Sequence, residues 1–138
     1  MIEISLLKLL GTKELYERYI ETIDSFVLTQ EAKNIITFLA TMYETANQID
    51  WSLCKDSFIL EHSRYGSDKL VTYATIFDNI IAEPEVTDPK PILNLLSKRY
   101  CASRIADLTM GIAEGTLNKE IADVEKIIEE YKRETGTE

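Results

Sequence analysis

His62 is the only histidine in the chain, and that count alone removes two metal chemistries. It rules out the paired His ligands of common zinc sites and the twin Glu-x-x-His arrangement of di-iron helical bundles. A Ser-His-Asp or Cys-His arrangement needs only one imidazole, so the fold can in principle assemble one around His62. The local reading is plainer: His62 ends the stretch "WSLCKDSFILEH" as a solvated ring at a helix C-terminus, where the dipole favours a cation. Phosphate chemistry fares no better. A nucleotide-binding loop needs G-x-x-x-x-G-K-[ST], so that backbone amides cradle phosphates and the Lys reaches them. Gly11-Thr12-Lys13 is the nearest approach, with Thr and Lys in the wrong order and Leu6 where the first Gly belongs.

The carboxylates Glu120, Asp123, Glu125, Glu129 and Glu130 fall on the wet side of a helix, which argues against paired acid–base work. Cys54 and Cys101 each follow an apolar or aromatic stretch and form no C-x-x-C pair, the pattern of buried free thiols in a reducing compartment. Trp51 opens a helix and suits a core position, with an interface anchor as the alternative. The one positive cluster, Ser97 to Tyr100 with Arg104, reads as a solvated helix face that can also meet phosphate or an acidic partner. No cofactor and no catalytic group are therefore expected of this chain.

The 138 residues fit one domain with a genuine core, and 45% hydrophobic with 28% charged residues is ordinary globular composition. A formal net charge of −9 argues against a surface that holds nucleic acid by neutralising phosphates. A partner protein is the better expectation. The opening "MIEISLLKLLGTKE" has an acidic third residue, a short apolar run and no small-residue cleavage site, so it is not read as a secretory signal. No stretch reaches the roughly 20 apolar residues of a membrane span.

The elements that must position any site are helical. Ile4, Leu6, Leu7, Leu9 and Leu10 make a short buried helix ended by Gly11, and Leu15, Tyr16, Tyr19, Ile20 and Ile23 share one side of a second. Thr29 can cap a third, whose Ile35, Ile36, Leu39, Met42 and Tyr43 recur at helical spacing. Asp50 can cap a fourth, and Ser67-Asp68 a fifth through "KLVTYATIFDNII". The strings "FVLT" and "LVTYATIF" are rich in β-formers, but their alternation is poor and helix is favoured. All three prolines lie in "AEPEVTDPKP", which cannot continue a helix; Pro89 or Pro91 suits the first turn of the next. Along that next helix Cys101, Ile105, Leu108 and Ile112 step by four, three and four. After a break at Gly115-Thr116 the last helix carries Leu117, Ile121, Val124, Ile127, Ile128 and Tyr131. Matched stripes about a short break predict an antiparallel α-hairpin. The expected fold is thus all-α: a helical bundle over 1–83, a Pro-rich elbow over 84–91 and a two-helix hairpin over 92–134.

The order of these elements, with the strings "IEISLLKLL", "EAKNIITFLATMYETANQID", "PILNLLSKRYCASRIADLTMGIAEG" and "IADVEKIIEEYKRE", resembles the N-terminal domain of DnaB-type hexameric replicative helicases. The version in T-even-type bacteriophages is the most similar. The resemblance spans nearly the whole chain, but it rests on helix-and-break signatures and not on an invariant chemical group. It departs from the full helicase in stopping before the linker helix and the RecA-like ATPase with its Walker motifs, so the chain is either an excised domain or a stand-alone relative.

The resemblance implies a non-catalytic collar domain in the cytoplasm of the infected bacterium. Its hairpins would pair between subunits of a dimer or hexameric ring, its surface would meet primase or a helicase loader, and DNA would be reached only through the absent ATPase domain. The interface residues expected on that basis are Leu95, Ile105, Leu108, Ile112, Ile121, Val124 and Ile128, each of which can equally be plain core. The alternatives are a stand-alone helical adaptor that regulates a replication protein, and a small helical enzyme.

Overall fold

The computed structural model describes residues 2–24, 28–115 and 121–135. Among these the fold is all-α, as the periodicity predicts: seven helices and no strand. They are α1 (Ile2–Leu9), α2 (Lys13–Asp24), α3 (Gln30–Met42), α4 (Trp51–Glu61), α5 (Ser67–Ala82), α6 (Lys90–Glu114) and α7 (Ile121–Thr135). The chain divides into two compact units, one formed by Met1–Asp24 with Leu28–Pro89, the other containing Lys90–Glu138. "LVTYATIF" is helical within α5, whereas Phe26 and Val27 of "FVLT" lie outside the described residues.

In the first unit α1 is apolar nearly all round, which suits a helix enclosed by others. Ile4, Leu6, Leu7 and Leu9 are all buried, and α1 packs against α3 and α5. Its one buried charged residue, Glu3, has a specific task. Its carboxylate accepts from the Thr29 amide at 2.8 Å and from the Thr29 hydroxyl at 3.1 Å. Thr29 Oγ1 in turn accepts from the Ala32 amide as the N-cap of α3. At the other end of the unit, Ser5 donates its hydroxyl proton to Glu83 at 2.7 Å, tying α1 to the C-cap of α5.

Gly11 ends α1 because two chain segments cross there. A Cβ at this position would stand 3.2 Å from both the Lys8 carbonyl and Trp51 Nε1. The crossing is an isolated antiparallel bridge between Thr12 and Gln48, in which Lys13 donates to Asn47 and Ile49 donates to Gly11.

Asp50 caps α4 as its position predicts, accepting from the amides of Ser52 and Leu53. Asp50→Ala is expected to cost about 1 kcal/mol of stability, read from the shift of a urea midpoint, with the far-ultraviolet spectrum of the folded state unchanged. The expected Ser67-Asp68 cap is corrected: Gly66 occupies the N-cap of α5 with no side-chain bond, and Ser67 is already the first helical residue. Glycine tolerates that role because it lets solvent reach the amides its absent side chain would have met. The connection between α5 and α6 runs over 83–89, ending two residues before the expected 91, and Pro91, not Pro89, lies within the first turn of α6.

Phe58 is the hub of the core. Its ring stacks on His62 at 4.0 Å, and meets Tyr73 at 4.7 Å, Phe38 at 5.2 Å and Phe77 at 5.4 Å. His62 is accordingly half-buried against an aromatic wall rather than solvated. Its Nδ1 lies 2.8 Å from the Phe58 carbonyl, an acceptor that fixes this nitrogen as the protonated one. It does sit at the C-terminal cap of α4, as its place in the sequence predicts.

In the second unit α6 and α7 pack side by side. Arg104 pairs with Glu130 at 2.7 Å, while Leu108, one turn onward in α6, shares a groove with Ile127, one turn back in α7. The two helices therefore run antiparallel. α6 ends at Gly115, whose φ of +71° is the left-handed conformation that glycine reaches without a Cβ penalty. Thr116, Leu117 and Glu120 of the expected hairpin lie outside the described residues.

Candidate functional site: the apolar faces of the α6–α7 pair

Among the described residues the His62 ring is stacked on Phe58, and its Nδ1 donates to the Phe58 carbonyl. Among the described residues no cluster of three or more His, Cys, Asp or Glu is placed to hold a metal ion, and no buried side-chain nitrogen or oxygen lacks a hydrogen-bond partner. Cys54 is fully enclosed, and burial pushes its thiol up to about 12, the opposite of an activated nucleophile. Around Gly11-Thr12-Lys13 the Gly11 and Lys13 amides are already donated, to Lys8 and Asn47. Trp51 closes against Gly11 as a core residue.

What remains is apolar surface on the helix pair. α6 runs for 25 residues, about 38 Å at 1.5 Å per residue, yet only Leu96 and Gly111 along it are buried. In α7 Ile127 is the buried apolar residue. Ile105, Leu108, Ile112 and Val124 are half-buried, and Leu95 and Ile128 are exposed. Of the seven residues expected at an interface, only the side chain of Ile121 lies outside the described set.

Helical geometry separates these residues further. At 100° per residue Ile105, Leu108 and Ile112 share one stripe, while Leu95 lies about 100° round the helix from its centre. In α7 Ile128 is likewise displaced by about 100° from Ile127, the residue that turns inward. Sequence spacing had merged an inner seam with an outer surface. Met110, exposed on α6, was missed altogether because it is off the stripe.

Along the seam, an open groove is floored by Leu108 and Ile127 and walled by Arg104 and Lys126 against Asp107, Asp123 and Glu130. Asp123 and Glu130 are therefore part of the groove wall and not simply a wet helix face. The Arg104 guanidinium, which donates to Glu130, holds that carboxyl below its usual range. Arg104 also lies 5.3 Å from the Tyr100 ring centroid, whereas Lys98 and Arg99 of the same positive cluster are exposed. Mixed charge beside an apolar floor suits protein contact, since each sign finds its complement in a second surface of the same kind.

No helix among the described residues is long and apolar enough to cross a membrane. Comparison with protein-family models, with curated proteins and with solved structures finds no match for this chain.

Proposed function

We propose that this chain is the non-catalytic N-terminal domain of a DnaB-type replicative DNA helicase of the T-even phage kind. It assembles the helicase ring through its helical hairpin and offers a surface to primase or a helicase loader, in the cytoplasm of the infected bacterium. ATP hydrolysis and DNA translocation belong to an ATPase domain outside this sequence. The observation that carries this reading is the α6–α7 pair, in which two long helices leave most of their apolar residues half-buried or exposed. Such stripes are better satisfied by a second subunit than by water. The order of a five-helix unit, a Pro-rich elbow and a helix pair supports it as well.

The test is the mass of the full chain in solution, by sedimentation or native mass spectrometry. A dimer or larger ring is expected, and Leu95→Ser with Ile128→Ser should shift it towards monomer while the far-ultraviolet spectrum of the folded chain holds, because both side chains are part-exposed. A chain that stays monomeric at every concentration overturns the assembly role and favours the stand-alone adaptor. Reading the coding DNA beyond Glu138 tests the helicase itself: a Walker motif after a linker helix supports it, and an immediate stop codon overturns it.

A further inference from the structure

A second apolar surface lies on the first unit, on the outer side of α4 and α5. Leu53, Leu60, Val71 and Ile81 are exposed there by 58%, 77%, 63% and 41%. The core is supplied by Trp51, Cys54 and Phe58 of α4, opposite Leu53 and Leu60, and by Tyr73, Phe77 and Ile80 of α5, opposite Val71 and about 70° round the helix from Ile81. α4 and α5 are joined by a short turn and pack along each other, and the Lys55–Asp78 ion pair at 2.8 Å sets their antiparallel register. In that register Leu60 stands across from Val71 and Leu53 across from Ile81. Leu53 and Leu60 lie about 10 Å apart along α4, and Val71 and Ile81 about 15 Å apart along α5, on either side of the single ion pair.

Charge decides what fits this strip. Over Met1–Pro89 carboxylates outnumber Lys and Arg by fifteen to seven, but over Lys90–Glu138 by only nine to eight. Nearly all of the net charge of −9 therefore belongs to the unit that carries the strip. Asp56, Glu61 and Asp68 are exposed along it, and Asp78 is taken up by Lys55. Of the three nearby cations, Lys55 is engaged by Asp78 and Lys69 lies 4.3 Å over the Tyr65 ring, leaving Arg64 at the turn. Pairing this strip with its own copy would bring acidic surface against acidic surface.

We infer that the outer face of α4 and α5 docks a Lys- or Arg-rich amphipathic helix of a different protein. The leucines of that helix would cover the two apolar pairs, and its cations would meet the bordering carboxylates. The inference stands on the first unit alone and does not depend on the helicase reading or on hairpin pairing.

The probe is a synthetic peptide of leucine and lysine at helical spacing, with a control peptide carrying glutamate for lysine, titrated into the 15N-labelled full chain. Saturable binding of the lysine peptide is expected, with amide shifts concentrated in α4 and α5 and none from the glutamate peptide. Leu60→Ser with Val71→Ser should weaken it by about tenfold while the thermal midpoint holds, since both residues are exposed. Glu17→Gln with Glu21→Gln, which removes carboxylates from α2 instead, should leave the affinity unchanged. Shifts spread over the whole acidic surface, or equal weakening by the two variant pairs, would overturn a specific docking face. Concentration-dependent shifts of α4 and α5 amides without peptide would overturn the basic partner in favour of a second copy.

Discussion

Replacing Phe58 by alanine is expected to cost about 3–5 kcal/mol, the range for deleting a buried aromatic ring that the surroundings cannot refill. Phe58 is fully enclosed and touches four other aromatic rings, contributed by α3, α5 and its own helix's C-cap. Its loss leaves a void where α3, α4 and α5 meet and frees the His62 ring from its stacking partner. For a chain of this size the thermal midpoint should fall by about 10 °C or more. Phe38 is the internal comparison: among the described aromatic rings it meets Phe58 and His62, and it retains slight exposure. Phe38→Ala should therefore cost clearly less. Equal losses in urea titrations of the two variants would show that Phe58 is not the hub.

Raising the pH from about 9 towards 12 should destabilise the protein by several kcal/mol in total. The cause is two buried acids whose ionised forms the fold cannot solvate. The Cys54 thiol is pushed from 9.0 up to about 12 by burial. Burial, reinforced by neighbouring Cys54 and Tyr16, drives the Tyr43 phenol well above its ordinary range. Tyr43 also donates its hydroxyl proton to the Leu10 carbonyl, a bond that only the neutral phenol can make.

Below about pH 9 both groups are protonated in folded and unfolded chains alike, and their stabilisation is fully present. Above it the unfolded chain releases protons that the folded chain retains, so stability falls with pH until the folded groups titrate too. Urea midpoints at about pH 8 and about pH 10.5 measure this. Cys54→Ala should reduce the slope between them, whatever it does to the absolute midpoint. A midpoint that stays constant across that interval would mean that the two groups are solvated in the folded state.

Much of the helical layout was legible because it depends on local chemistry. Thr29 and Asp50 announce helix starts by side chains that can accept from first-turn amides, and both do so. The prolines mark the elbow for the same kind of reason. Gly66 gave no such signal, because its contribution is the absence of a side chain, and Ser67 beside it looked like the better cap. The environment of His62 was illegible because it is set by Phe58, Phe38 and Tyr65 through the tertiary fold.

Candidate surfaces were harder still. Periodicity groups residues by face, but α4 carries apolar residues on both sides. Nothing local says that Phe58 turns inward while Leu60 turns out. In α6, likewise, periodicity groups Cys101, Ile105, Leu108 and Ile112 but does not say how exposed Leu95 and Met110 are. In both helices the choice of inner face is made by the partner helix, through contacts distant in sequence.

The burial of α1 has a consequence for the order in which the chain folds during synthesis. α1 leaves the ribosome ahead of α3 and α5, the helices it packs against, and at eight residues it is too short to be stable alone. Its leucines must therefore stay uncovered until α5 has been translated. α6 and α7, which follow each other directly, close on local contacts as soon as both exist. The window of vulnerability to aggregation and chaperone capture thus opens with α1, and it closes when Phe77 and Ile80 arrive to complete the core.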